Sequence, residues 1–452
     1  MKKKAMLWVC LCLLLAGGIL AVIFREPIID WLPIDQSGWD LLESGGHCYL
    51  DEDGDPISGW QKINSKTYYF DPATCAMHTG WLELPEGRYY LDKNGVRLTG
   101  WQEIDGTRYY LGNDGIMHTG WLQLDGTRMY LNEAGIPHTG WLEAEEGTYH
   151  LDNAGIPMTG WLESDGKRYY LDENGLLRSG WLQLEDEKFY LSADGTPLTG
   201  WQEVDGSLYY LGHDGIMVTG WLEQNGQTYY LKEDGSAARG RLVIEDKAHY
   251  FTSTGAEVLL VNRWNPLPME YEPEVSESVT DCLMEPTAGE AAAIMLADME
   301  AAVGDTGLLN GYRPYGMQHQ GFYGKIKNMM AKGHSYSAAF YAVSQVFAYP
   351  GTSEHQSGLA IDIMGRADTY YLKGETKTIQ WLKEHCWDYG FILRYPEDKS
   401  HITGIIYEPW HFRYVGKELA LELKELGLCL EEYLDALTND GTTCGNPDAL
   451  NE

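Results

Sequence analysis

The stretch GTSEHQSGLAID at residues 351–362, followed by EPWH at residues 408–411, decides the fold of the C-terminal part of the chain. His355, Asp362 and His411 offer two imidazoles and one carboxylate. This donor set suits a zinc ion with one coordination position left open for water. The spacing between the first histidine and the aspartate exceeds one helical turn, so it predicts a loop that enters a strand.

Three motifs within residues 310–416 point to one known family. They are Ser-x-His-x-x-Gly-x-Ala-x-Asp at 353–362, Gly-Phe-x-Leu-Arg-Tyr-Pro at 390–396 and Glu-Pro-Trp-His-x-Arg-Tyr-Val-Gly at 408–416. Together with Gly-Tyr-Arg at 311–313, they resemble the VanY-type D-alanyl-D-alanine carboxypeptidases, zinc enzymes that trim peptidoglycan stem peptides.

The resemblance implies a role for each site residue. It implies that His355, Asp362 and His411 are the Zn²⁺ ligands and that Glu408 is the catalytic base. It also implies that Arg313 meets the polarised carbonyl oxygen and that Gln318 and Ser353 bind substrate. Pro314 departs from the serine that many relatives carry after the arginine. That departure leaves the catalytic assignment intact.

The activity that the resemblance implies is removal of the terminal D-Ala from peptidoglycan stem peptides by a zinc-dependent D,D-carboxypeptidase. Two alternatives remain open. An L,D-carboxypeptidase of the same fold would trim tetrapeptides, and no residue separates the two specificities. A wall-binding protein with an inactive peptidase domain belongs to another class, and the complete ligand set and base argue against it.

A second pattern is a repeat of twenty or twenty-one residues that runs through residues 39–255. The unit at residues 101–111 reads WQEI, DG and TRYYL. Asp-Gly between two alternating aromatic runs predicts a two-residue hairpin turn. Pairing outward from that turn sets Trp101 opposite Tyr110 and puts both on one face with Arg108. Because one hairpin is unstable alone, we expect a solenoid of stacked β-hairpins.

These repeats resemble the cell-wall-binding repeats of choline-binding proteins, where a cation rests in an aromatic cage. The residues that we assign to wall binding are Trp81, Trp101, Trp121, Trp141, Trp161, Trp181, Trp201, Trp221, Tyr110 and Tyr170. Several units depart from the family by carrying arginine on the cage face. A guanidinium repels a quaternary amine but binds sugar hydroxyls or phosphate. This favours a wall glycan or teichoic acid over choline as the ligand. Choline and a purely structural role stay open as alternatives.

The N-terminus predicts a membrane-bound location. Lys2, Lys3 and Lys4 precede an apolar run at residues 5–24 that is long enough to cross a bilayer as a helix, and the positive-inside rule leaves the rest outside. We therefore expect a cell-surface protein anchored in the membrane, or, if the segment is cleaved, a secreted and wall-bound one. The net charge of −34 argues against nucleic acid as a partner.

The whole chain is thus predicted to be multidomain, with hairpin repeats followed by an α+β zinc peptidase domain. The expected parts are a membrane anchor or signal segment at 1–26, cell-wall-binding repeats at 37–260, a proline-rich linker at 261–281, the peptidase domain at 282–430 and a tail at 431–452. A capping box at 287–290 predicts the first helix of the peptidase domain. We also expect a disulfide between Cys48 and Cys75.

Overall fold

The computed structural model describes residues 37–279, 282–305, 307–365, 376–438 and 442–447. The chain divides into two compact units, Met1–Arg178 and Ser179–Glu452. The predicted anchor at residues 1–26 lies outside the described residues. Within the described ranges, no helix is both long and apolar enough to span a bilayer.

Residues 38–251 form a series of antiparallel two-stranded hairpins, β1–β2 through β21–β22. The strands are β1 Gly38–Leu41, β2 His47–Leu50, β3 Gly59–Ile63, β4 Lys66–Phe70, β5 Gly80–Leu84, β6 Gly87–Leu91, β7 Gly100–Ile104, β8 Thr107–Leu111, β9 Gly120–Leu124, β10 Thr127–Leu131, β11 Gly140–Ala144, β12 Gly147–Leu151, β13 Gly160–Ser164, β14 Lys167–Leu171, β15 Gly180–Leu184, β16 Glu187–Leu191, β17 Gly200–Val204, β18 Ser207–Leu211, β19 Gly220–Gln224, β20 Gln227–Leu231, β21 Gly240–Ile244 and β22 Lys247–Phe251.

The hairpin turns have the predicted chemistry. Asp105 and Gly106 both have positive φ, 52° and 76°, as a two-residue type I′ turn requires. The register places Trp101 opposite Tyr110, and the same spacing recurs in the next hairpins. The predicted hairpin register is therefore confirmed.

Consecutive hairpins pack on one another in the first unit. The ring of Trp81 lies 4.9 Å from the ring of Tyr109 in the next hairpin, and the N–H of Met117 donates to the carbonyl of Arg88 at 2.7 Å. From the second hairpin onward, the last residue of each second strand is buried: Phe70, Leu91, Leu111, Leu131, Leu151 and Leu171 in the first unit, and Leu191, Leu211, Leu231 and Phe251 in the second. Cys48 and Cys75 are free thiols, so the expected disulfide is not formed.

The segment after the last hairpin packs against the peptidase elements. Val261 and Asn262 are buried, and the N–H of Leu267 donates to the carbonyl of Gly351 at 2.7 Å. The beginning of the range expected to be a linker, 261–281, is thus a packed part of the second unit. Prolines mark the end of the repeat pattern, but Leu267, which lies between Pro266 and Pro268, is buried.

Where it is described, the peptidase part contains one short hairpin and one antiparallel four-stranded sheet. The hairpin pairs β23 Ser276–Val279 with β24 Cys282–Met284. The sheet has the order β25–β26–β28–β27, with β25 Leu308–Asn310, β26 Ala360–Met364, β27 Phe391–Leu393 and β28 His411–Tyr414. An antiparallel sheet covered by helices is the α+β arrangement that the sequence predicts.

Seven α-helices are described: α1 Pro286–Val303, α2 Tyr315–Ala331, α3 Tyr336–Ser344, α4 Lys377–His385, α5 Ser400–Thr403, α6 Lys417–Leu426 and α7 Leu430–Leu437. Short 3₁₀ turns cover Glu354–Ser357 and Cys386–Tyr389. The predicted capping box at 287–290 is wrong. Helix α1 begins earlier, because Pro286 fits the first helical position and the Glu285 side chain accepts the N–H of Ala288 at 2.9 Å.

Two of the buried clusters in the second unit join its sheet, helices and last hairpin. Met295 of α1 packs with Phe391 and Phe412 of the sheet. Leu430 and Leu434 of α7 pack in a cluster with Tyr250 of the last hairpin. Helix α7 lies in the range expected to be a tail at 431–452, so that expectation is wrong for its first residues. The amphipathic spacing of the helix, with apolar side chains four residues apart, explains its burial.

Candidate metal centre and active site

Three neighbouring strands bring the central polar residues together. Asn310 of β25 lies opposite Asp362 of β26, and Asp362 lies opposite His411 of β28. His355 comes from the 3₁₀ turn before β26. That turn ends at Gly358, whose φ of 75° is in the left-handed region that favours glycine.

The three predicted metal ligands converge on one point. His355 Nε2 lies 3.2 Å from Asp362 Oδ2, and His411 Nδ1 lies 3.0 Å from Asp362 Oδ1. One ligand atom from each residue lies within 4.8 Å of the others, and all three residues are buried. Three convergent donors of this kind match catalytic zinc sites, which keep a fourth position for water.

The other nitrogen of each histidine is held by an acceptor. His355 Nδ1 lies 2.7 Å from the carbonyl oxygen of Gly311, and His411 Nε2 lies 3.4 Å from Glu354 Oε2. Because Gly311 and Glu354 can only accept here, a metal-bound form of the site would carry the N–H on these nitrogens. The nitrogens that face Asp362 are then available to a cation, and the donor set fits Zn²⁺.

Electrostatics favours a cation between these residues. Burial raises the pKa of Asp362, but His355 and the hydrogen bonds from both histidines outweigh burial and hold the pKa well below its usual range. Burial lowers the pKa of His355. For His411, the hydrogen bonds to Asp362 and Glu354 outweigh burial and raise the pKa to about 9. The aspartate is therefore a carboxylate surrounded by groups that stabilise its negative charge.

Glu408 is placed beside the ligands by a turn. The N–H of His411 donates to the Glu408 carbonyl at 3.1 Å, and Pro409 takes the second position of the turn, which its fixed φ favours. The predicted proximity of base and ligand thus follows from four consecutive residues. Burial is the largest effect on the Glu408 carboxyl and raises its pKa to about 8. Such a group can take up and release a proton near neutral pH.

All seven predicted site residues line one cavity of about 350 Å³: Arg313, Gln318, Ser353, His355, Asp362, Glu408 and His411. Gln318 is buried and donates from Nε2 to the carbonyl of Ala348. Its Oε1 has no hydrogen-bond partner in the described part of the chain. Arg313 lies over the ring of Phe347, with Cζ 5.1 Å from the ring centre.

Sequence reasoning missed three residues that contact the ligands. Asn310 Nδ2 donates to Asp362 Oδ2 at 3.3 Å, the ring of Tyr395 lies 4.9 Å from that of His411, and Glu354 accepts from the same histidine. Glu354 carried a signal, since it is an acidic residue directly before a ligand. Tyr395 lay in a recognised motif without an assigned role, and Asn310 had no signal.

The aromatic residues assigned to wall binding pair within their own hairpins. Tyr110 lies 5.3 Å from Trp101 and Tyr170 lies 5.2 Å from Trp161, ring centre to ring centre. Five tryptophans also carry a cation of their own hairpin over the ring: Arg88 over Trp81 at 4.0 Å, Arg108 over Trp101 at 4.1 Å, Arg128 over Trp121 at 3.8 Å, Arg168 over Trp161 at 3.7 Å and Lys188 over Trp181 at 4.3 Å. The other three pair with aromatic rings, Trp141 with His150, Trp201 with Tyr210 and Trp221 with Tyr230.

Comparison with family models matches both parts of the chain. A model described as D-alanyl-D-alanine carboxypeptidase, VanY, matches residues 281–417. A choline-binding repeat model matches residues 57–96, 98–135, 198–234 and 218–264. A model described as a putative cell wall binding repeat matches residues 159–177.

Individual relatives agree with the family models. A D-alanyl-D-alanine carboxypeptidase of Enterococcus faecalis is 39% identical over 183 residues, which cover 39% of this chain and 65% of that protein. The chain thus spans slightly less than two thirds of that relative. The bifunctional D-Ala-D-Ala dipeptidase and carboxypeptidase VanXYC of Enterococcus gallinarum is 39% identical over 138 residues, 29% of this chain and 68% of that protein.

Among solved structures, a mutant of the vancomycin-resistance D,D-pentapeptidase VanY in complex with Zn(II) aligns with 38% identity over 39% of this chain and 97% of that chain, at a TM-score of 0.35. The assignment depends instead on the family model and on the identity with VanXYC. The chain therefore belongs to the VanY family of D-alanyl-D-alanine carboxypeptidases, with choline-binding repeats before the peptidase domain.

Proposed function

We propose that this protein is a zinc-dependent D,D-carboxypeptidase that removes the terminal D-Ala from peptidoglycan stem peptides. The observation that carries the proposal is the convergence of His355, Asp362 and His411 within 4.8 Å, in a cavity that Glu408 and Arg313 also line. The family supplies the substrate class. Residues 282–430 are assigned to catalysis and residues 37–260 to wall binding.

His355, Asp362 and His411 would hold the metal. Zinc, when bound, supplies a Lewis acid that polarises the scissile carbonyl and acidifies water. Gly311 and Glu354 fix the two imidazole rings through their second nitrogens. This preorganisation keeps the donor atoms aimed at one point.

Glu408 transfers the proton between water and the leaving amine. Its carboxylate accepts a proton from the attacking water and later gives it to the leaving amine of D-Ala. The turn at residues 408–411 holds the carboxylate close to His411. Burial favours the protonated form, which suits the second half of this cycle.

Arg313, Gln318 and Ser353 bind and orient the peptide. The guanidinium stabilises negative charge that develops on the carbonyl oxygen, a contribution of about 3 kcal/mol for a single well-placed donor. The buried Oε1 of Gln318 accepts an N–H of the substrate backbone. Ser353, buried at the cavity wall, provides a hydroxyl beside the metal ligands.

The hairpin repeats retain the enzyme at the cell surface. We infer that they bind a wall glycan or teichoic acid, because cations of the chain already occupy the faces of five tryptophans. A quaternary amine would have to displace these side chains. A hydroxyl or phosphate group can instead bind the outer edge of the guanidinium.

The test uses the full-length chain and defined stem peptides. After incubation with zinc, mass spectrometry should show loss of one D-Ala from the pentapeptide and no change in the tetrapeptide. A metal chelator should abolish the product, and added zinc should restore it. Trimming of the tetrapeptide alone would make the enzyme an L,D-carboxypeptidase. A zinc-loaded protein without any product would make it a binding protein.

A further inference from the structure

Four fully buried charged side chains form one network in the second unit. Arg394 binds Glu354 Oε1 through Nε at 2.8 Å, and it binds Glu431 through Nη1 and Nη2 at 2.8 and 2.6 Å. Arg413 Nη1 also donates to Glu354 Oε1, at 2.8 Å. Two carboxylates and two guanidinium groups balance, as buried ions require.

One end of this network is a metal ligand. Glu354 Oε1 accepts hydrogen bonds from both arginines, while Glu354 Oε2 lies 3.4 Å from His411 Nε2. The two guanidinium groups therefore fix the carboxylate that orients the imidazole ring. A displacement of Arg394 would shift Glu354, and Glu354 directly contacts His411.

The other end lies just after the last hairpin. Asn262 Nδ2 donates to Glu431 Oε1 and to the carbonyl of Cys444, both at 3.0 Å. The carbonyl of Leu259 accepts from Arg413 Nη2 at 2.5 Å. Leu259 and Asn262 precede the range matched by the peptidase family model, 281–417, and lie in a range matched by the choline-binding repeat model, 218–264.

We propose that Asn262 is a positioning residue of the metal centre, so that the segment following the last hairpin is part of the catalytic unit. The inference rests on the proposed zinc-dependent function. Asn262 holds Glu431, Glu431 holds Arg394 by two hydrogen bonds, and Arg394 holds the carboxylate that orients His411. Metal sites need their ligands within about 0.5 Å of the productive geometry, so a small displacement along this path weakens metal binding.

A purely structural role predicts a different result. Asn262 Oδ1 also accepts the backbone N–H groups of Trp264 and Asn265, both at 3.0 Å, and so shapes the local turn. Asn262→Asp keeps these acceptors, removes the Nδ2 donor and places a carboxylate against Glu431. If Asn262 only stabilised this turn and its contact with the Cys444 carbonyl, this change would alter the melting temperature but not the metal site.

The experiment compares the full-length protein with Asn262→Asp and with the control Asn265→Ala. Asn265 donates to Asn262 Oδ1 and to the same Cys444 carbonyl. Loss of the Asn265 side chain therefore removes two hydrogen bonds of the turn but keeps the Asn262 donor to Glu431. The readouts are the zinc dissociation constant from chelator competition, kcat and KM on the pentapeptide, and the melting temperature. We expect Asn262→Asp to weaken zinc binding about ten-fold and to lower kcat more than it changes KM. The control should keep zinc affinity within about two-fold.

Zinc affinity and kcat of Asn262→Asp within about two-fold of the unmodified protein would overturn the inference, whatever the melting temperature. If Asn262→Asp does not fold, Glu431→Gln tests the same path, because it removes the charge that holds Arg394. The same loss of zinc affinity is expected there, and normal affinity would again overturn the inference. An unmodified protein that binds zinc but does not cleave the pentapeptide would overturn the proposed activity alone, because the affinity comparison remains valid.

Discussion

Asp362 and His411 face each other across two neighbouring antiparallel strands, with 3.0 Å between Asp362 Oδ1 and His411 Nδ1. The register of the sheet sets this spacing, so two of the three proposed metal ligands are positioned by backbone hydrogen bonds. Only His355 depends on a turn. Loss of one ligand side chain should therefore remove the metal without unfolding the sheet.

His411→Ala and His355→Ala should each abolish zinc binding and hydrolysis, because each deletes a proposed metal ligand. Zinc content after dialysis and hydrolysis of the pentapeptide measure this. His401→Ala is the control, since His401 is exposed on α5, and it should keep both. Stoichiometric zinc that survives dialysis in His411→Ala would show that the ligand assignment is wrong.

Glu408→Gln should bind zinc normally but lower kcat by about 100-fold or more, because an amide cannot accept the proton of water. The matched control is Glu397→Gln, at an exposed residue outside the cavity lining. Steady-state kinetics with a parallel zinc determination separates the two effects. A kcat within a few-fold of the unmodified enzyme would rule out Glu408 as the base.

Arg313→Lys should lower kcat by about 100-fold while KM changes little, because the guanidinium acts on charge that develops in the transition state. Lys325→Met is the comparison, since Lys325 is the second cation beside Phe347, with Nζ 4.9 Å from the ring centre. We expect a smaller loss of kcat there. A kcat of Arg313→Lys within a few-fold of the unmodified enzyme would mean that positive charge at this position, and not the geometry of the guanidinium, is what matters.

The site was predictable where its residues lie in short motifs. His355 and Asp362 share one stretch, and Glu408 and His411 share one turn, so local spacing carried the information. Asn262 and Glu431 could not be paired from the sequence, because they are 169 positions apart and each looks ordinary in its own segment. Helix α7 was missed for a related reason, since its buried face becomes evident only against the last hairpin.

Deletion of residues 38–178 should leave hydrolysis of soluble pentapeptide unchanged and reduce retention on purified cell walls. These residues fall in the first compact unit, while every residue assigned to the metal and substrate site falls in the second. Deletion of residues 38–251 should additionally destabilise the enzyme, because Tyr250 belongs to a buried cluster with Leu430 and Leu434. Co-sedimentation with cell walls, kinetics and thermal melting measure the three effects. Equal wall retention by the shorter deletion would remove the anchoring role of the first seven hairpins.

Arg108→Trp combined with Arg128→Trp should weaken retention on cell walls, because it removes two guanidinium groups that lie over Trp101 and Trp121. If the ligand is a glycan or an anionic wall polymer, both hydrogen-bond donors and positive charge are lost from the site. If the ligand is choline, the same change adds aromatic surface and should strengthen binding. Arg178→Trp is the control, since that guanidinium pairs with Asp172. Elution of the unmodified protein by millimolar choline, together with unchanged or stronger retention of the double variant, would assign the repeats to choline instead.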